Sequence, residues 1–168
     1  MGILSGNPKH EPMHYGEVFS VWHFLMAEKA ALVTYQTFYN HAGDADLRKF
    51  IVEKNELRKE IIEKLEELCK ENSIQLPPGP AERSEADLES IPVGARFQDP
   101  EIAAAIAVDI AAGLVTCSKI IGMSIREDIG TMFLGFHGKA AAYGARMLRM
   151  QKEKGWLVPP PLHMKKPE

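Results

Sequence analysis

The sequence predicts an all-α fold: a single four-helix bundle made of two antiparallel hairpins joined by one long crossover. Three observations carry this. Apolar residues recur at helical spacing through most of the 168 residues, and strand-like alternation is scarce. Cap, proline and glycine signals divide the chain into four long segments. The breaks after the first and third segments are short, whereas residues 73–98 between the second and third are long and rich in Pro and Gly.

The first helix is expected over residues 12–42, with Pro12 in its first turn and Gly43 as its stop. The second spans 44–72, with Asp44 or Asp46 near its N-terminus, and Pro77-Pro78 forbids its continuation. The third spans 99–122 and opens with Asp99-Pro100-Glu101, a cap, an early proline and a first-turn acid. The fourth spans 125–154, opens with Ser124-Ile-Arg-Glu127 as a capping box, and ends at Gly155. Short turns make each pair an antiparallel hairpin. A long loop inside a compact domain needs a reason. Here the loop can run the length of the bundle, which is the ferritin-like topology. Ser84 to Leu88 can form a helical turn within it. The tail, residues 155–168, offers Trp156, Leu157 and Val158 as a plug across one bundle end.

Composition bounds the function. The chain is 45% hydrophobic and 26% charged, with net charge −3 and no basic block, so nucleic-acid binding has little support. Residues 1–11 lack the apolar core of a signal peptide, and no run of about 18 apolar residues follows, so neither export nor a membrane partner is expected. The location expected is intracellular. Cys69 and Cys117 have neither disulfide nor zinc spacing and read as buried free thiols.

Helical phase assigns the inner faces. Helix 1 buries Val18, Val21, Trp22, Leu25, Leu32, Tyr35 and Tyr39, with Glu28 at the edge of the arc. Helix 2 buries Leu47, Phe50, Ile51, Leu57, Ile61, Ile62, Leu65, Leu68 and Cys69. Its glutamates Glu53, Glu56, Glu60 and Glu63 point outward, although Glu53 and Glu56 have metal-ligand spacing. The charged residues on its inner stripe are Lys54 and Arg58. Helix 3 buries Ile102, Ile106, Gly113, Cys117 and Ile120, with Asp109 mid-row. Helix 4 buries Ile129, Met132, Phe133, Phe136, Ala140, Tyr143 and Met147, with His137 on the flank.

Register then brings Glu28, Lys54, Arg58, Asp109 and His137 to one level. Buried charges need partners. The expectation is an ionic network pairing Glu28 with Arg58, and Asp109 with Lys54 or Arg58. A di-metal centre needs acids on all four helices and paired Glu-x-x-His motifs. The one such match, Glu11 to His14, lies at the start of helix 1. No cofactor is expected. The alternative is a single Fe, Mn or Zn ion on Glu28, Asp109 and His137. On helix 1, His23, Ala27, Ala30, Thr34, Thr37 and His41 form a second face, read either as a homodimer seam or as contact with the crossover or tail. A metal on the histidines of such a seam is a further, weaker reading. Met132, Met147 and Met150 read as core filler. The glycines and alanines of "FLGFHGKAAAYGA" read as close helix packing.

The stretches "FYNHAGDADLRKFI", "LCKENSIQLPPGP", "SIREDIGTMFLGFHGKAAAYGARM" and "GWLVPPPLH" resemble a ferritin-like family of spore-forming bacilli whose members are described as spore coat proteins similar to the coat F type. The resemblance covers nearly the whole chain. It implies a ferritin-like bundle without the usual iron ligands and with no assigned reaction. Many members carry two tandem units, and this chain carries one, which leaves room for a homodimer. The function expected is structural or interaction-based, in the spore coat or the mother cell, with other coat proteins as further partners. The alternative is a metal-binding bundle with redox or storage activity.

Overall fold

The computed structural model describes residues 11–164, and expectations for residues 1–10 and 165–168 lie outside them. Four long helices dominate: α1 (Tyr15–His41), α2 (Ala45–Glu71), α3 (Asp99–Met123) and α4 (Glu127–Glu153). Two short 3-10 turns, Leu88–Ser90 and Val93–Ala95, lie between α2 and α3, and no strand occurs among the described residues.

Contacts at the ends set the direction of each helix. The Asp99 carboxylate, at the start of α3, accepts from the Gly43 and Asp44 N–H groups at 2.8 and 3.1 Å. His14, before α1, meets the Met123 carbonyl at the end of α3 at 3.1 Å. Lys154, after α4, bonds Asp44 and Asp46 at the start of α2 at 2.8 and 2.7 Å. So α1 and α3 are antiparallel, as are α2 and α4, and the chain forms two antiparallel hairpins. The crossover climbs the outside of α1. Lys29 donates to the Pro77 carbonyl, Gln36 accepts from Arg83 N–H, Asn40 bonds Ser84 and Ala86, and His41 accepts from Phe97 N–H.

Several ends differ from expectation, each for a local reason. Pro12 is outside α1. His14 is the cap instead, its Nδ1 accepting from Gly16 N–H at 3.0 Å. Asp99 is the first residue of α3 and not its cap, because its carboxylate is spent on the α1–α2 turn. Ser124 closes α3 by donating to the Ile120 carbonyl and makes no capping box with Glu127. The turn expected over Ser84 to Leu88 forms later, at Leu88–Ser90. Of the two acids expected near the start of α2, Asp44 is the cap, accepting from the Asp46 and Leu47 N–H groups. Gly155 stops α4 in the left-handed region at φ 71°, and Trp156 N–H closes back on the Gln151 carbonyl. Trp156 packs against the core, but Val158 is exposed, so the plug is the tryptophan and not the whole triplet.

The core has two apolar halves. One gathers Val21, Phe24, Leu25, Leu65, Phe133 and Phe136, among others. The second gathers Tyr35, Leu47, Phe50, Ile102, Ile106 and Met147. Phe24 and Val33 are buried, although neither is among the residues helical phase assigns to the inner face. Val18, Trp22, Leu32, Tyr39, Met132, Ala140 and Gly113 are half-buried. Gly135 and Gly138 would meet nothing on gaining a Cβ, so close packing within the chain does not explain them. Gly144 alone of that stretch lies near a neighbour, Ile110.

Candidate functional site

Between the two apolar halves lies a charged layer. Arg58, 1% exposed, donates from Nε to Glu28 at 2.7 Å and from Nη2 to Asp109 at 2.9 Å. The Tyr35 hydroxyl donates to the same Asp109 oxygen at 2.8 Å, and the guanidinium lies 4.2 Å from the Tyr35 ring centre. Three helices are thereby joined through one side chain. Burial alone would weaken the Arg58 charge, but Glu28, Tyr35 and Asp109 outweigh it and hold the guanidinium firmly protonated. Burial raises the Tyr35 phenol well above its ordinary value, so it stays a donor.

The rest of the predicted network is arranged differently. Lys54 is 6% exposed and reaches the same layer, yet it forms no ion pair or hydrogen bond among the described residues. Asp109 goes to Arg58 and Tyr35 rather than to Lys54. The Lys54 ammonium lies 5.7 Å from the Tyr143 ring centre. Burial lowers its pKa, and the nearby Arg58 adds to that, while Glu28 and Asp109 oppose it. His137 is half-buried and contributes no bond to the layer. Glu28, Asp109 and His137 therefore do not assemble, and no group of three His, Cys, Asp or Glu placed to hold a metal occurs among the described residues.

Lys54 and Arg58 line a cavity of about 140 Å³. Glu28 and Asp109 line it as well, its apolar walls are Phe24, Phe136, Ile110 and Ala140, and it opens between α1 and α3 past His23, Ala27 and Ala112. Cys117 lies in its wall, where burial pushes the thiol up to about 11 and makes it a poor nucleophile. Cys69 is likewise buried and free.

A second charged cluster, at the end where α3 turns into α4, escaped the sequence reading. Glu17, 0% exposed, accepts from Ile125 and Arg126 N–H at 2.8 and 2.9 Å and from His14 N–H at 3.0 Å. One carboxylate thus serves the starts of both α1 and α4. Arg126, also buried, forks onto Asp128 at 3.1 and 2.7 Å and donates to Asn72 at 2.6 Å. The available signal was Glu17 three residues after His14, a capping-box spacing with an unusual cap.

The outer face of α1 divides in two. His41 and Thr37 are half-buried, and His41 meets the crossover at Phe97, so His41 is not free to form a seam. His23, Ala27, Ala30 and Thr34 remain exposed. Beside them α3 presents Val108 and Val115, each 70% exposed, among exposed alanines. No uninterrupted apolar run of that length occurs there, but the segment Val93–Met123 holds an 18-residue window of mean hydropathy 1.8, broken by Asp109, that passes for a membrane span by length and composition only, with 22% of it buried.

The family model described as "Protein of unknown function (DUF3231)" matches residues 1–168. The protein YvdQ of Bacillus subtilis (strain 168), described as uncharacterized, is 54% identical over 166 residues, covering 99% of this chain and 98% of that one. A crystal structure from Bacillus halodurans C-125, described as a "putative spore coat protein", matches with a TM-score of 0.93 and 51% identity, covering 95% of this chain and 100% of that chain.

Proposed function

The chain belongs to the DUF3231 family, and from that premise we propose that it is a non-catalytic structural protein that self-associates and takes part in spore coat assembly. The observation that carries this is the exposed apolar face of α3 and the adjoining strip of α1. Val108, Val115 and Phe19 stand in water in the isolated chain, beside Ala27 and Ala30. An apolar face of that extent calls for a cover. A second copy supplies one, because α1 and α3 present small residues that let helices approach closely. The name given to the Bacillus halodurans relative supports the coat as the setting.

Protein is favoured over lipid as the cover. Asp109 sits midway along the apolar window and is tied to Arg58 and Tyr35, and Lys119 stands exposed near its end. The ferritin-like label belongs to the same proposal, supported by the order of two hairpins and one long crossover. Residence in the mother cell, with other coat proteins as partners, follows from it.

Sedimentation velocity tests the proposal. At tens of micromolar the protein is expected to sediment as a dimer or larger, and Val115→Glu as a monomer. A wild-type monomer at that concentration overturns it.

A further inference from the structure

We propose that the cavity in the charged layer binds a small monocarboxylate with a compact apolar body, the carboxylate on Lys54 and the body against Phe24, Ile110 and Phe136. Self-association gives this cavity no role, so the inference goes beyond it.

The geometry has three parts. The first is an ammonium without an acceptor. Lys54 is more than nine-tenths buried, lines the cavity, and has no hydrogen-bond or ion-pair partner among the described residues. Charged groups in such a position require an acceptor. Glu28 and Asp109 each give one oxygen to Arg58, and neither bonds Lys54. Arg58 Nη1 is a second donor in the cavity lining, buried without a partner.

The second part is charge. Lys54 and Arg58 share the layer and repel each other, which is one reason the lysine gives up its proton more readily than usual. Glu28 and Asp109 relieve that repulsion in part, and a ligand carboxylate adds to the relief and offers Lys54 a charge-assisted hydrogen bond, about twice as strong as a neutral one. Glu28 and Asp109 line the cavity too and repel an incoming anion; Asp109 is partly exposed, so water screens it, and Glu28 is offset by its ion pair with Arg58.

The third part is size and lining. A volume of about 140 Å³ is near the roughly 150 Å³ known to accommodate benzene in an apolar cavity. Inorganic anions are small for it and would leave aromatic wall unfilled. A purely apolar guest would leave Lys54 without an acceptor. A carboxylate on a short aliphatic or aromatic body satisfies both.

The test is a calorimetric titration with butyrate and benzoate, each against its amide, and with inorganic phosphate. Each is run at a dilute and a concentrated protein level, because the cavity opens on the face proposed to self-associate. The expected result is saturable one-to-one binding of at least one carboxylate, about tenfold tighter than its amide, with no saturation by phosphate. Lys54→Met is expected to remove that preference, leaving carboxylate and amide alike. Ala140→Leu, which fills the wall, is expected to abolish both while circular dichroism reports an intact helical fold. Three results overturn the proposal: no saturable binding at either protein level, equal affinity for carboxylate and amide in the wild type, or unchanged carboxylate affinity in Lys54→Met.

Discussion

Arg58 and Lys54 sit one helical turn apart on the same inner stripe, yet their energetic roles are opposite. Arg58 is the hub of two carboxylates, and its Nη1 alone is buried without a partner. Removing a hub leaves both acids uncompensated, so Arg58→Leu is expected to cost about 3–5 kcal/mol in urea denaturation. A loss below about 1 kcal/mol would show that the layer does not hold the helices together. Lys54 has no such partner, and Lys54→Met keeps the volume while removing a buried cation. Its stability at pH 7 is expected to equal or exceed the wild type's. The pH dependence follows from the lowered lysine pKa. Between the lowered folded value and the unfolded value near 10.4, the unfolded chain holds a proton that the native one has released. Stability therefore rises with pH through that window. The wild type should gain on Lys54→Met as pH is raised from 7 towards 10, and a gap that stayed constant would count against a strained ammonium.

Helix ends show what a sequence reading captures and what it misses. The α2 cap was legible because Asp44 bonds its own next turn, and Gly155 because a left-handed stop favours glycine. The layer was legible because a period of 3.6 residues fixes which side of α2 carries Lys54 and Arg58, and hairpin register fixes which acids lie level with them. What was missed depends on the other hairpin. Ser124-x-x-Glu127 has the right spacing for a box, but a carboxylate 108 residues away in the chain takes the Ile125 N–H. No local pattern reports a partner at that separation. Of the two cations read as partners of Asp109, the structure takes Arg58 and adds Tyr35; the choice was illegible for a related reason: phase gives a level and not which of two neighbours reaches. Glu17→Ala removes the acceptor for three N–H groups at once. A loss of roughly 1–3 kcal/mol for each donor left buried is expected, seen as an early melt of the α3–α4 corner by hydrogen exchange. Protection unchanged at Ile125 and Arg126 would show that water takes over the role.

The whole molecule leaves an apolar face of α1 and α3 exposed, and covering that face makes association measurable as stability. A partner that binds only the folded form stabilises it by mass action, by about 2.7 kcal/mol at a hundred times the dissociation constant. If α1 and α3 cover each other across two copies, the melting temperature must rise with protein concentration. Val115→Glu should lose that dependence and melt at the temperature of dilute wild type. The exposed glycines of α4 distinguish that surface from its neighbours. Gly138 has open space where a Cβ would stand, so Gly138→Ala in a helix facing only water gains about 0.5–1 kcal/mol from the backbone. That gain is expected in the Val115→Glu monomer. The wild-type background then locates the interface. A retained gain confines it to α1 and α3, whereas a loss on adding one methyl group carries the interface round onto α4. A melting temperature independent of concentration over a hundredfold range would remove association altogether and leave the apolar face without a second copy to cover it.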